Sequence, residues 1–221
     1  MRKLGEEEMA RPFISLWWSG VAAGISITFS LIAQAILYVH LPDAPWRPLL
    51  TSAGYTAGFL IVVLSRQQFF TENTITAVLP VMANFSSRNL ARMGRLWGIV
   101  LAANLAGTLT AALFCTFVPV LTPKVFAGMI ELSREGTEHG AIDLLMKGIP
   151  AGFLIAAMVW LIPSAEGAQF HVIALMSYLV AAGGSATLLS AAPKRSCSWP
   201  MDSLVHGRWS ARSLCRSSSV M

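Results

Sequence analysis

A chain of 221 residues that is 55% hydrophobic and only 12% charged carries several apolar runs near or above the ~20 residues that cross a bilayer, which excludes a soluble domain and makes it a polytopic membrane protein. Its net charge of +5 marks no nucleic-acid partner, because the basic residues stand between the apolar runs and in the tail. The three cysteines, Cys115 in an apolar run and Cys197 and Cys215 near the end, point to neither a disulfide framework nor a metal site.

Residues 1–12 read as a short polar leader in which Glu6, Glu7 and Glu8 precede Pro12 at the start of a helix, and a solvated helix start explains them. The first crossing covers about residues 13–41, with Trp17, Trp18 and Tyr38 toward its ends, where amphipathic rings favour the interface. It is too long to be a removed signal peptide and lacks a small-residue cleavage site. Gly20 and Gly24 stand four apart, a spacing repeated by Gly54/Gly58 and Gly148/Gly152, and such pairs are expected as helix-packing faces. Arg2, Lys3 and Arg11 precede this crossing, and Arg88, Arg92 and Arg95 cluster between the second and third. The positive-inside rule makes both segments cytoplasmic, whereas the first hairpin, residues 42–48, carries only Arg47 and faces outward.

The second apolar block, residues 49–83, is the anomaly. As one helix it would be roughly 50 Å long against a hydrocarbon core of about 30 Å, and its most polar residues, 66–73, fall near its middle. Residues 74–83 are too short to span alone, so the block reads as one crossing broken into two half-helices by a polar re-entrant loop. The backbone groups freed by such a break must be buried in protein or line a wet cavity. Broken helices mark substrate paths because half-helix ends aim partial charges at the solute. The plainer alternative is a kinked structural helix beside a cytoplasmic loop. Tyr55 and Phe59, four apart, read on their own as core packing. Arg66 either attracts an anion at membrane depth or, on the plainer view, snorkels to the surface or pairs with Glu72.

The third crossing is placed at about 96–121, with Asn104 as a helix-to-helix hydrogen bond and Pro119 and Pro123 ending it. Residues 124–147 turn charged and amphipathic, as an external loop with an interfacial helix does, and His139 in it has no companion at metal-ligand spacing. A fourth crossing at about 148–163, a turn at 164–167 and a fifth run at 168–184 follow, with His171 at the interface.

The run Gln67-Gln68-Phe69-Phe70-Thr71 followed by Asn73 is similar to the acid-Leu-Phe-Thr signature of the formate/nitrite transporter family. Gly20-Val-Ala-Ala-Gly24, Leu96-Trp-Gly with Asn104-Leu-Ala-Gly107, and Gly148-Ile-Pro-Ala-Gly152 up to Trp160 follow that family's order, so the resemblance covers about residues 13–184. The Arg-Gln-Gln and Thr-Glu-Asn-Thr spelling is nearest to an inner-membrane branch of the family. What the resemblance implies is an all-α, aquaporin-like bundle with a broken second helix, one pore per subunit of a pentamer, and multi-pass insertion in the bacterial inner membrane among its lipids. The N-terminus would be cytoplasmic. The solute would be a small monovalent anion, moved without a cofactor and without catalysis. The same resemblance puts Tyr55 and Phe59 at the cytoplasmic-side constriction, Phe69 and Phe70 on the loop completing it, Thr71 as the loop's donor and Val180 at the outer constriction. Where this chain has Arg66 and Gln68 the family has glycine and an acid, and where it has Gly152 many members have asparagine.

After Gly184 the composition turns abruptly to Ser, Arg and Pro, where the resemblance calls for a half-helix with a buried histidine and a sixth crossing. A disordered basic tail is one account. A sharper one is that Ser185-Ala-Thr-Leu-Leu-Ser190 can be encoded TCA GCC ACA TTA TTG TC, and one T restored in front makes this TTC AGC CAC ATT ATT GTC, or Phe-Ser-His-Ile-Ile-Val. The expected organisation is therefore a leader at 1–12, an incomplete transmembrane domain of about five crossings at 13–184 with a truncated second repeat, and an out-of-frame tail at 185–221. A non-transporting product of a damaged gene and a pore for small neutral solutes are the alternative readings.

Overall fold

The computed structural model describes residues 2–137 and 141–183; His139 and the tail from 184 onward lie outside the described residues. Among the described residues the fold is all helical: α1 (Arg2–Ala10), α2 (Phe13–His40), α3 (Arg47–Ala53), α4 (Tyr55–Leu64), α5 (Phe70–Ala83), α6 (Ser87–Phe117), α7 (Pro123–Thr137), α8 (Ala141–Leu161) and α9 (Gln169–Ala182), with a 3₁₀ turn at Ile162–Ser164. Three stretches of the described residues are long and apolar enough to cross a membrane: Phe13–His40, Arg47–Leu64 and Ser87–Phe117. Gly148–Ser164 and Gln169–Ala182 are shorter apolar helices.

The central pair is α2 and α6. They touch backbone to backbone, since a Cβ on Gly24 would meet the backbone of Asn104, Gly107 and Thr108, and one on Gly107 would meet the Val21 carbonyl. Small residues are what permit that approach in a membrane, where packing replaces the hydrophobic effect as the force between helices. The turn after α2 is tied by Arg47, whose guanidinium lies 3.8 Å from the centre of the Tyr38 ring, donates to the Tyr38 carbonyl and pairs with Asp43 at 3.3 Å. The hairpin's one cation is thus occupied in holding the turn.

The second apolar block is broken, as its length requires, and at two points. At Gly54, between α3 and α4, the Ser30 hydroxyl donates to the Tyr55 carbonyl (2.6 Å) and accepts from the Gly58 amide (3.1 Å). The major interruption is at 65–69, shorter than the polar stretch 66–73, because Phe70 to Asn73 wind into the first turn of α5. An acidic residue there, Glu72, suits the positive end of a helix. With 14 residues, about 21 Å, α5 cannot span alone. The last described helix, α9, also has 14 residues and is likewise about 21 Å long.

Helix starts differ from the sequence-based boundaries. Ser86 caps α6, its hydroxyl accepting from the Arg88 amide at 3.3 Å, so the helix begins nine residues before the expected 96 and carries Arg88, Arg92 and Arg95 on its own first turns. At 31 residues, about 46 Å, α6 can keep that basic end outside the hydrocarbon. Similarly α8 starts at Ala141 rather than 148. The amphipathic helix expected after the third crossing is α7, which buries Val125 and Met129 against Leu31 and Ala35 of α2. One glycine pair departs from the packing expectation: a Cβ on Gly148 or Gly152 would meet nothing within 4 Å.

The leader keeps Glu6 and Glu7 exposed, as a solvated segment does, but it is a helix in its own right with one face against the bundle. It folds as α1 and lies along α5, with Met9 only 2% exposed and packed in a cluster with Leu16, Ala77, Val81, Leu96 and Val100. Gly5 allows the contact, since a Cβ there would collide with the Thr76 carbonyl and the Pro80 ring. Gly5→Leu is expected to lift α1 off α5 and to speed amide hydrogen exchange in residues 2–10 while α2 and α6 stay protected. Unchanged exchange would mean that this contact does not hold the leader.

Candidate functional site

The interruption at 65–69 begins with a helix stop of defined geometry. The Gln67 amide donates to the Val62 carbonyl (3.0 Å) and the Arg66 amide to the Val63 carbonyl (3.1 Å), the paired bonds of a Schellman ending. Arg66 takes the left-handed position with φ 51°, a conformation that favours glycine and costs a side-chain-bearing residue on the order of 1 kcal/mol or more. Its side chain is exposed, and among the described residues it forms no ion pair with Glu72, so that pairing is not made.

The freed backbone beyond Arg66 is satisfied by side chains from two neighbouring helices. The Gln68 amide donates to the Ser19 hydroxyl of α2 (3.0 Å). Asn104 of α6, fully buried, donates through Nδ2 to the carbonyls of Gln68 (2.9 Å) and Gly20 (2.8 Å), and its Oδ1 accepts from the Phe70 amide (2.9 Å). One amide therefore joins both sides of the break and α2. Gln68 itself is 4% exposed; its Nε2 donates to the Glu8 carboxylate of α1 and its Oε1 accepts from Asn73 Nδ2, both at 2.8 Å. Glu8 also meets Arg11 at 3.3 Å.

On the other side of the break the aromatic residues assemble. Phe69 sets its edge to Phe59 (centroids 5.7 Å, 87°), Phe59 lies 5.1 Å from Tyr55, and all three share a buried cluster with Val180 of α9 and Ile155 and Met158 of α8. Phe70 is not part of it. As the next residue, and already helical, it turns the opposite way and packs on Trp97 of α6 at 6.4 Å. Thr71 stands in the first turn of α5 with its Oγ1 buried and without a hydrogen-bond partner among the described residues; the Oε1 of Gln67 is in the same condition. Buried hydroxyl and amide oxygens in that state are uncommon in folded proteins, and each calls for an explanation such as a solute or water.

The structure thus brings Tyr55, Phe59, Phe69 and Val180 together, sets Phe70 apart on Trp97, and leaves Arg66 at the surface. Asn104 was visible in the sequence as a buried amide, but its hold on the break was not. Glu8 gave no sequence signal beyond its charge.

Comparison with known proteins accords with this architecture. Residues 1–187 match the family model described as formate/nitrite transporter. The chain is 40% identical over 183 residues to the inner membrane protein YfdC of Escherichia coli, covering 83% of this chain and 59% of that protein. It is 23% identical over 160 residues to the formate channel FocA of Haemophilus influenzae, covering 68% and 54% respectively. The chain therefore spans less than two thirds of these relatives' length. Among solved structures, an FNT family ion channel superposes with a TM-score of 0.77 at 20% identity (89% of this chain, 81% of that one), and a pentameric formate channel with formate bound with 0.70 at 16% identity (94% and 78%). These structural likenesses establish the shared fold.

Proposed function

This chain belongs to the formate/nitrite transporter family, and from that premise we propose that its fold serves the passage of a small monovalent anion across the bacterial inner membrane. The observation that carries the reading is the built interruption inside the bundle, which buries Phe69 in an aromatic cluster with Tyr55 and Phe59 and, two residues on, leaves the Thr71 hydroxyl on the first turn of α5 without a hydrogen-bond partner among the described residues. Tyr55, Phe59, Phe69 and Val180 form the dry constriction that rejects hydrated ions. The Thr71 hydroxyl, on the first turn of α5, offers a hydrogen bond to an anion that sheds water there. Arg66, exposed at the turn, raises the local anion concentration. The pentamer and the cytoplasmic N-terminus belong to the same proposal, supported by a relative named as a pentameric formate channel and by the basic residues of α1 and of the start of α6.

The family match ends at residue 187, two residues after the change of composition at 185. This supports a second element of the proposal, that residues 185–221 are read out of frame and that the chain in this form conducts little. Sequencing the coding DNA tests it directly; a restored frame lacking both a histidine and a sixth apolar run would refute it. Formate uptake into proteoliposomes should rise at least about tenfold on restoring the frame, which corresponds to a barrier lower by ~1.4 kcal/mol. Equal flux overturns the claim that the chain in this form conducts little, and no flux from either form overturns the transport proposal. Flux that ignores pH and membrane potential would favour a neutral solute.

A further inference from the structure

Of the three successive carboxylates in the leader, one is turned inward. Glu6 is exposed and pairs with Arg2 at 3.3 Å, and Glu7 is exposed as well. The Glu8 side chain is 14% exposed, and its Oε2 both accepts from Gln68 Nε2 (2.8 Å) and meets Arg11 (3.3 Å). Gln68 in turn reaches across the break, its Oε1 accepting from Nδ2 of Asn73 on the first turn of α5 (2.8 Å). A carboxylate and two amides therefore form one run of bonds from the leader to α5, and both amide residues are buried.

The first member gives this run a direction. An ionised carboxylate only accepts, whereas a primary amide donates at one end and accepts at the other. Glu8 therefore holds Gln68 with its NH2 toward the leader, which turns the Gln68 oxygen to Asn73 and requires Asn73 to present its own NH2. Reversing Gln68 would set its oxygen against the carboxylate and bring two NH2 groups together. A hydrogen bond to a charged group is roughly twice as strong as a neutral one, so Glu8 is the stronger hold on that side chain. The next residue is Phe69, whose ring sets its edge to Phe59. We propose that Glu8 is a positioning residue for the break: from the leader, 60 positions away, it sets the direction of the Gln68 and Asn73 amides and so the seat of Phe69 in the aromatic cluster. Its consequence for the solute rests on the reading of that cluster as the constriction.

Amide hydrogen exchange of the full chain in mild detergent separates this role from simple docking of the leader. Glu8→Ala is expected to speed exchange of the Gln68, Phe69 and Phe70 amides by about tenfold. Residues 6–10 should stay as protected as in the parent, because Gly5 against Thr76 and Pro80, the buried Met9, and the donation from Arg95 to the Arg11 carbonyl (3.4 Å) still hold α1. Gln68→Glu sets two carboxylates face to face and should loosen the same amides at least as much. Combining it with Glu8→Gln puts the donor on the leader and the carboxylate on the break, with one oxygen still open to Asn73, and should return exchange to within about threefold of the parent. Amides at 68–70 that ignore Glu8→Ala, or a double variant no better than Gln68→Glu alone, would overturn the positioning role. Protection lost at residues 6–10 together with 68–70 in Glu8→Ala would also overturn it, leaving Glu8 a docking contact. In the frame-restored chain Glu8→Ala should raise acetate uptake relative to formate several-fold, because a loosened Phe69 admits the larger anion. The expected exchange pattern with an unchanged uptake ratio would support the positioning of the break and overturn the reading of the aromatic cluster as the constriction.

Discussion

Asn104→Ala is expected to lower the folding stability of the chain by about 3 kcal/mol and to free the segment 65–70. The amide holds three backbone groups, but they do not count equally. The Gly20 carbonyl lies inside α2 and keeps its helical bond, whereas the Gln68 carbonyl and the Phe70 amide belong to the break and have no other partner among the described residues. Leaving a buried donor or acceptor unsatisfied costs about 1–3 kcal/mol, while interhelical bonds in membranes are worth nearer 0.6–2 kcal/mol, so two such losses together with a small cavity give the ~3 kcal/mol figure. Against a total stability on the order of 5–15 kcal/mol this is large. Denaturation in mild detergent reads the stability, and hydrogen exchange at residues 65–70 reads the break. Asn104→Ser, which keeps a short donor and acceptor, should fall between the two. If the alanine variant melts with the parent and exchange at 65–70 stays slow, Asn104 does not organise this site.

That residue also shows how far the sequence could be followed. The break was legible because two lengths conflict, that of the 49–83 block and that of the bilayer, and because polar residues fall where lipid would otherwise be. The aromatic cluster was half legible: a spacing of four puts Tyr55 and Phe59 on one helical face, but whether the next aromatic pair joins them depends on where α5 begins. Starting the helix at Phe70 sends Phe69 to Phe59 and Phe70 to Trp97. A buried amide in an apolar run announces a hydrogen bond without naming its partners, and those of Asn104 lie 34, 36 and 84 positions away. The leader was illegible for a similar reason. Its nine-residue helix is too short for a clear periodicity, and what fixes it is a glycine against Pro80 and a carboxylate against Gln68, contacts 60 or more positions apart.

Glycines four apart supply the other large effect, because two pairs identical in spacing have opposite surroundings. Gly24→Leu is expected to destabilise the chain by about 3 kcal/mol or more, and Gly152→Leu to change it by no more than about 0.5 kcal/mol. At Gly24 the new side chain would meet main-chain atoms of Asn104, Gly107 and Thr108, which cannot rotate away, so α2 and α6 must separate. Separation would also stretch the bond from Asn104 to the Gly20 carbonyl one turn along, tying this packing face to the break itself. At Gly152 the side chain would enter open space. The two variants, purified in the same detergent, should differ in melting temperature and in the protection of Phe70 and Gln68 amides, with only Gly24→Leu losing both. A Gly152→Leu chain that melts like the parent but runs at a smaller size in solution would assign α8 to contact between copies. Two variants that melt together would mean that the close approach of α2 and α6 does not set the stability of the bundle.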